Sequence, residues 1–300
     1  MKAIKLLLIA AVSLSISWAA TADEVEYPAY YKVGTVTAEL DEVVASVKEA
    51  LSTQNFEVVG EYHPAANNDL YVICYTRKDL ADITLKFEDR GALASILKVG
   101  LKKNGDLVDV SMINPEYIFY AYLYEDIDPY VSQLVGIARD VRTALSAVGN
   151  EFEPFGGFQE RDDLDDYRYK IMMPYFTDPE ELAEYDSFEE GMSIIRANLD
   201  AKKGNTMKVY EVVYPDQKVA VFGIGLLDPE EGEADFLPVI GDDHVAAMPY
   251  EIILQDNVAT MLHGRFRIAL HWPELTMGTF MKIMSTPGNI EDFMEGICTN

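Results

Sequence analysis

Hydrophobic and polar positions along this 300-residue chain fall into blocks that occur twice. In LDEVVASVKEAL, Leu40 to Leu51, apolar residues hold the first, fifth, eighth and twelfth positions: Leu40, Val44, Val47 and Leu51. FEEGMSIIRANL, Phe188 to Leu199, aligns with it without a gap and repeats the spacing with Phe188, Met192, Ile195 and Leu199. Positions so spaced share one helical face, so both blocks are expected to be amphipathic helices that turn this face to a core. Ser187 with Glu190 three residues on gives the second helix a capping-box start.

A second kind of block has the composition of strands. FEVVGEYHP, Phe56 to Pro64, aligns with MKVYEVVYP, Met207 to Pro215; both are β-branched and aromatic runs that stop at a proline. Further strands are expected at Leu70 to Tyr75 and Val219 to Ile224. First strands are expected at AYYKVGTV, Ala29 to Val36, and YRYKIMMPYF, Tyr167 to Phe176. In a third block SMINPEYIFYAYL, Ser111 to Leu123, aligns with TMLHGRFRIALHW, Thr260 to Trp272. Asn114-Pro115-Glu116 has a helix cap, a first-turn proline and a first-turn acid. Asp128-Pro129 repeats that start before a helix with an apolar face of Val131, Leu134, Val135, Ala138, Val141 and Leu145. Met277, Met281 and Met284, at i, i+4 and i+7, are expected to be a core face rather than a soft-metal site.

Blocks recurring in the same order point to duplication. The expected architecture is α+β, two tandem repeats, each a small mixed sheet with helices packed on it. The first repeat spans 23–150 and the second 167–300, with residues 151–166, rich in glycine and acid, as a linker whose Phe152, Phe155 and Phe158 are able to pack across an interface. The helix, then NFEVVGEYHP, then LVDVSMI leading to a helix-starting NPE, resembles the bacterial family catalogued as domain of unknown function 302, over Ala29 to Gly149 and more weakly Tyr167 to Ile297. The resemblance implies a compact α+β domain, here in two copies, and no activity. The chain departs from the family's usual Cys or Asn followed by Pro after the central strand, having Cys74-Tyr75-Thr76 there.

The first residues have the form of a cleaved leader: Lys2 and Lys5, an apolar run from Ile4 to Ile16, and Ala20-Thr21-Ala22 before Asp23. Residues 1–22 are therefore read as a signal peptide and the protein as periplasmic, with no stable membrane insertion after its removal. Without the leader 22 basic residues face 51 acidic ones, and the formal charge moves from −27 to −29. That balance repels phosphate backbones and excludes nucleic acid as an expected partner. The compartment permits disulfides, but Cys74 lies in an apolar run, Cys298 near the end, and separate thiols are expected.

Candidate chemistry is sparse. The chain has no nucleophile elbow, P-loop, HExxH or zinc spacing, so an enzyme is the less favoured reading and no cofactor is expected. His263 and His271 are about 26 Å apart on a strand or about 12 Å on a helix, too far to share an ion. His244 and His263 are weak metal candidates. Because His263 aligns with the capping Asn114, it is expected at a helix start. There, with Arg265, it is a candidate contact for a small anion. The chain thus reads as a small-ligand-binding or accessory module. The alternatives are an enzyme for a small anionic or carbonyl substrate in the second repeat, and a structural module that binds a protein partner or a second copy of itself.

Overall fold

The computed structural model describes residues 25–88, 90–123, 127–165 and 179–299. Strand β1 (Glu26–Thr37) leads through α1 (Leu40–Thr53) to the antiparallel pair β2 (Glu57–Tyr62) and β3 (Leu70–Thr76). Short helices α2 (Lys78–Thr84) and α3 (Arg90–Ala94) cross to β4 (Leu97–Asn104), which turns into β5 (Leu107–Ile113) through Gly105 at φ 64°. Helices α4 (Pro115–Leu123) and α5 (Val131–Leu145), strand β6 (Glu153–Glu160) and α6 (Arg161–Asp165) follow.

The second unit runs β7 (Glu180–Glu184), α7 (Phe188–Asp200), β8 (Thr206–Tyr214), β9 (Val219–Leu226) and α8 (Glu233–Ile240). A 3-10 segment, Asp242–Ala247, then leads into β10 (Tyr250–Gln255), β11 (Val258–Met261), α9 (Gly264–His271), α10 (Met277–Phe280) and α11 (Thr286–Cys298).

The first sheet has the order β2-β3-β4-β5-β1-β6 and the second β7-β11-β10-β9-β8. Read from the other edge, the second sheet repeats the first five strands of the first: hairpin, hairpin, then the opening strand laid beside the last. The sheets, expected to be mixed, are antiparallel at every pairing described. Turns close the β2-β3, β4-β5, β8-β9 and β10-β11 pairs, short helical crossings join β3 to β4 and β9 to β10, and α1 or α7 carries the chain from the opening strand to the far edge of its sheet.

The helices bury the faces their spacing defines. On α1 these are Leu40, Val43, Val44, Val47, Ala50 and Leu51; on α7 they are Gly191, Met192, Ile195 and Leu199, with Phe188 half-buried. Ser187 Oγ accepts from Glu190 N at 3.1 Å, and Glu190 Oε2 accepts from Asp186 N at 2.8 Å, one residue short of the reciprocal capping-box bond. Helices α1 and α5 pack together in the first unit, as α7 and α11 do in the second.

The other face of each sheet meets the opposite unit. Segment 242–247 lies on β3, β4 and β5, α3 lies on β9 and β10, and β2 lies beside β8. This two-sided cover is why β9 is buried at all eight positions and β4 at its first five. Contact is close enough that a Cβ on Gly100 would stand 2.6 Å from Val245 Cγ1 and 2.7 Å from Ala246 N.

Three expectations change. The segment expected as a linker contains β6, which extends the first sheet by pairing with β1. Gly156 and Gly157, at φ 82° and 91°, form a bulge of β6 opposite Ala29, while Phe155 stacks on Tyr30. On α5 the buried face takes Ile137 and Ala144 in place of Val135, which is exposed. Met277, Met281 and Met284 are 48–59% exposed rather than core, because α10 ends at Phe280 and the chain tightens into turns before their face can reach a sheet. The strand expected at Tyr167 to Phe176 lies outside the described residues, as does the leader.

Candidate ligand groove between the two units

A groove of about 310 Å³ opens where the two units meet. β1, β4 and β5 supply Lys32, Lys102, Asp109 and Ser111, β6 supplies Pro154 and Phe155, and the second unit supplies Asp243. Alternation along the antiparallel strands brings these side chains to one face, and Thr35 and Asp109 are direct cross-strand partners.

Two ion pairs organise the lining. Lys32 Nζ lies 3.0 Å from Asp109, which also accepts from Thr35 Oγ1 at 2.6 Å and Asn104 Nδ2 at 3.0 Å. Burial pushes the Asp109 carboxyl up, but these hydrogen bonds outweigh it and hold the group below its ordinary range. The hydrogen bond to Asp109 raises Lys32 in turn. Lys102 reaches across the unit boundary to Asp243 at 2.9 Å. Both pairs are partly exposed, so each is worth about 1 kcal/mol or less and a ligand can exchange a partner at small cost.

Behind the groove stands an aromatic wall. Phe155 stacks on Tyr30 at 5.2 Å, and His244 meets both rings edge-on at 5.1 and 5.6 Å. Burial lowers the pKa of His244.

Deeper in the interface lies a polar cluster. Lys98 of β4 pairs with Glu251 of β10, and Glu251 also receives Tyr210 Oη at 3.2 Å and Arg267 Nη2 at 3.4 Å. Arg267 donates to Ala247 O and Pro249 O and covers the Tyr250 ring at 3.7 Å. Burial alone would lower Arg267; Tyr250 and Glu251 reverse this and hold it protonated. His271 takes Tyr122 Oη against Nε2 at 3.0 Å, while its carbonyl accepts from Tyr30 Oη at 2.9 Å. Burial, then the charges of Arg267 and Lys98, keep this imidazole neutral. Glu233 of α8 ties the units at a further point, accepting from Tyr62 Oη at 2.8 Å, Ala65 N at 2.7 Å and Leu226 N at 3.2 Å.

The residues singled out from sequence are dispersed. His263 caps α9, as its alignment with Asn114 requires, but its side chain makes no capping hydrogen bond, and the neighbouring Arg265 is exposed. Neither lines the groove. His244 stands behind the wall, and His271 is buried. Among the described residues no three His, Cys, Asp or Glu side chains are grouped to hold a metal ion. Cys74 and Cys298 are both buried free thiols. Lys98 and Glu251 did carry a sequence signal, each a lone charge inside an apolar strand: SILKVGL and MPYEIIL.

Fold and groove define an α+β protein of two sheet-plus-helix units with a charged cleft at their junction. No family model matches the chain and no curated protein matches it. One similar solved structure is the crystal structure of an uncharacterized conserved DUF302 protein from Bacillus stearothermophilus. It is 15% identical, covering 40% of this chain and 94% of that one, with a TM-score of 0.32.

Proposed function

We propose that this is an exported small-ligand-binding or accessory protein built from a duplicated domain, and that its ligand sits in the groove between the units. The observation that carries the reading is the lining itself. Lysines and carboxylates of both signs stand beside Phe155 and Pro154, and one ion pair, Lys102–Asp243, joins the two units across the opening. Such a lining suits a small dipolar molecule, one with an amine and a carboxylate and an apolar part for the Phe155 ring. The volume admits a molecule of amino-acid or dipeptide size.

The test is calorimetric titration and thermal shift with free amino acids and short dipeptides, on the wild type and on Phe155→Ala and Lys102→Ala. Saturable binding that both variants weaken about tenfold or more supports the groove; no heat and no shift across the panel would sink it. Export rests on the leader-like residues 1–22, and N-terminal sequencing of the protein isolated from its source checks it. A mature chain beginning at Met1 would remove that part of the reading.

A further inference from the structure

The strand registers place equivalent positions of the two units on common rows. Each unit has a bulge in the strand after its first long helix, between Val58 and Gly60 in β2 and between Lys208 and Tyr210 in β8. Beyond the bulge Gly60 pairs with Cys74 and Cys74 with Lys98; in the second sheet Tyr210 pairs with Gly223 and Gly223 with Glu251. The row Gly60–Cys74–Lys98 therefore corresponds to Tyr210–Gly223–Glu251. Counting eight residues from the helix-start positions Asn114 and His263 likewise matches Tyr122 with His271.

Three of these equivalent pairs are in contact across the interface. Lys98 bonds Glu251, Tyr122 bonds His271, and a Cβ on Gly60 would stand 2.8 Å from Tyr210 Cβ. A residue touches its own equivalent only on a two-fold axis. Reciprocal packing agrees: the segment between β9 and β10 lies on the first sheet, and α3, between β3 and β4, lies on the second.

We infer that the interface between the units is a two-fold homodimer interface made permanent by fusion, and that the partner each unit's surface fits is a second copy of the same fold. In a true homodimer an axis residue meets itself. Two buried lysines or two buried glutamates would repel in a medium that screens poorly, and two tyrosines would overfill the space a glycine now leaves. Once both copies are on one chain the axis positions are free to differ. Here they have become complementary: Lys with Glu, Tyr with His, Tyr with Gly. The surface is consequently closed within one molecule.

The same divergence removes this groove's lining from the matching face of the second unit, a consequence that rests on the ligand-binding reading whereas the axis does not. The groove's cross-strand pair Lys102–Asp109 corresponds to Gln255–Val258, and among the described residues β6 has no counterpart in the five-stranded sheet.

Exchange of axis residues tests the inference on the full chain by thermal unfolding. Lys98→Glu and Glu251→Lys, each alone, place like charges together and are expected to lower Tm by roughly 5–10 °C. The double variant K98E/E251K restores the pair across the axis while setting the relocated ammonium against Arg267, and is expected to recover part of the summed loss. Tyr122→His, His271→Tyr and their double exchange, which keep ring-bearing side chains, give the same reading and decide it if the charge variants do not accumulate as folded protein. Double exchanges no more stable than the sum of their singles would show that the positions are not equivalent, and would overturn the inference. Because no ligand enters this measurement, its failure and that of the groove are independent.

Discussion

Glu233 gives the interface a pH dependence whose size follows from its surroundings. The residue has no solvent exposure, and burial pushes its carboxyl from an ordinary 4.5 to about 7 against three donors and the charge of Arg267 that favour the anion. The folded protein therefore binds a proton between pH 4.5 and about 7 that the unfolded chain has released. Stability contributed by this group is complete below pH 4.5, falls as pH rises and reaches its minimum above about 7, a total loss of about 3 kcal/mol. Glu233→Gln removes the titration. Its amide oxygen can keep the bond from Ala65 N while its NH2 group turns to Tyr62 Oη; the bond from Leu226 N is lost, a cost that does not vary with pH. Urea unfolding at pH 4, 5.5, 7 and 8.5, followed by the fluorescence of the buried Trp272, measures the difference between wild type and variant. That difference should move in the variant's favour by about 3 kcal/mol between pH 4 and 8.5. Parallel stability curves, or a difference that moves toward the wild type with rising pH, would refute the assignment of a raised carboxyl bridging the units.

Further outcomes follow from the packing. Gly100→Ala forces a methyl against Val245 and the backbone of Ala246, so urea unfolding should show a loss of about 1–3 kcal/mol. Gly136→Ala on α5 meets nothing within 4 Å and should gain up to about 1 kcal/mol in the same assay. Ser187→Ala removes the bond to Glu190 N and should lower stability by about 1 kcal/mol, also read from urea unfolding. Burial pushes the Cys298 thiol to about 12 and Cys74 upward as well. A thiol reagent should therefore label neither in the native protein and both once it is unfolded, with a non-reducing mass that shows no bridge.

The recurring hydrophobic blocks carried much of the fold because their information is local. Leu40, Val47 and Leu51 specify a helical face within three turns, and the strand from Val219 shows its two-sided burial as an unbroken apolar run. The expectations that changed depend on distant partners. Nothing within FGGF distinguishes a linker from an edge strand until β1 offers Tyr30 opposite Phe155. The methionine spacing was helical, but a periodic face becomes core only if something lies against it, and α10 stops one turn too soon.

The candidate site was harder to read for the same physical reason, and its position on the interface sharpens the point. Charge attracts attention in a sequence where it clusters, so two histidines and two arginines in TMLHGRFRIALHW stood out. In the folded chain that stretch divides. Arg265 faces solvent while Arg267, two residues on, is buried against Glu251 and Tyr250. One helix separates them because residues two apart lie on different faces. Glu251 meets Lys98 from 153 positions away, and neither strand alone announces the other. What does announce them is the cost of an unpaired charge in an apolar strand: SILKVGL and MPYEIIL each require a partner from elsewhere. In the strand registers of the two sheets those lone charges fall on matching positions with opposite signs. Opposite charges at matching sheet positions of two packed units are therefore a mark of a two-fold axis, one that the strand registers show and that neither strand shows alone.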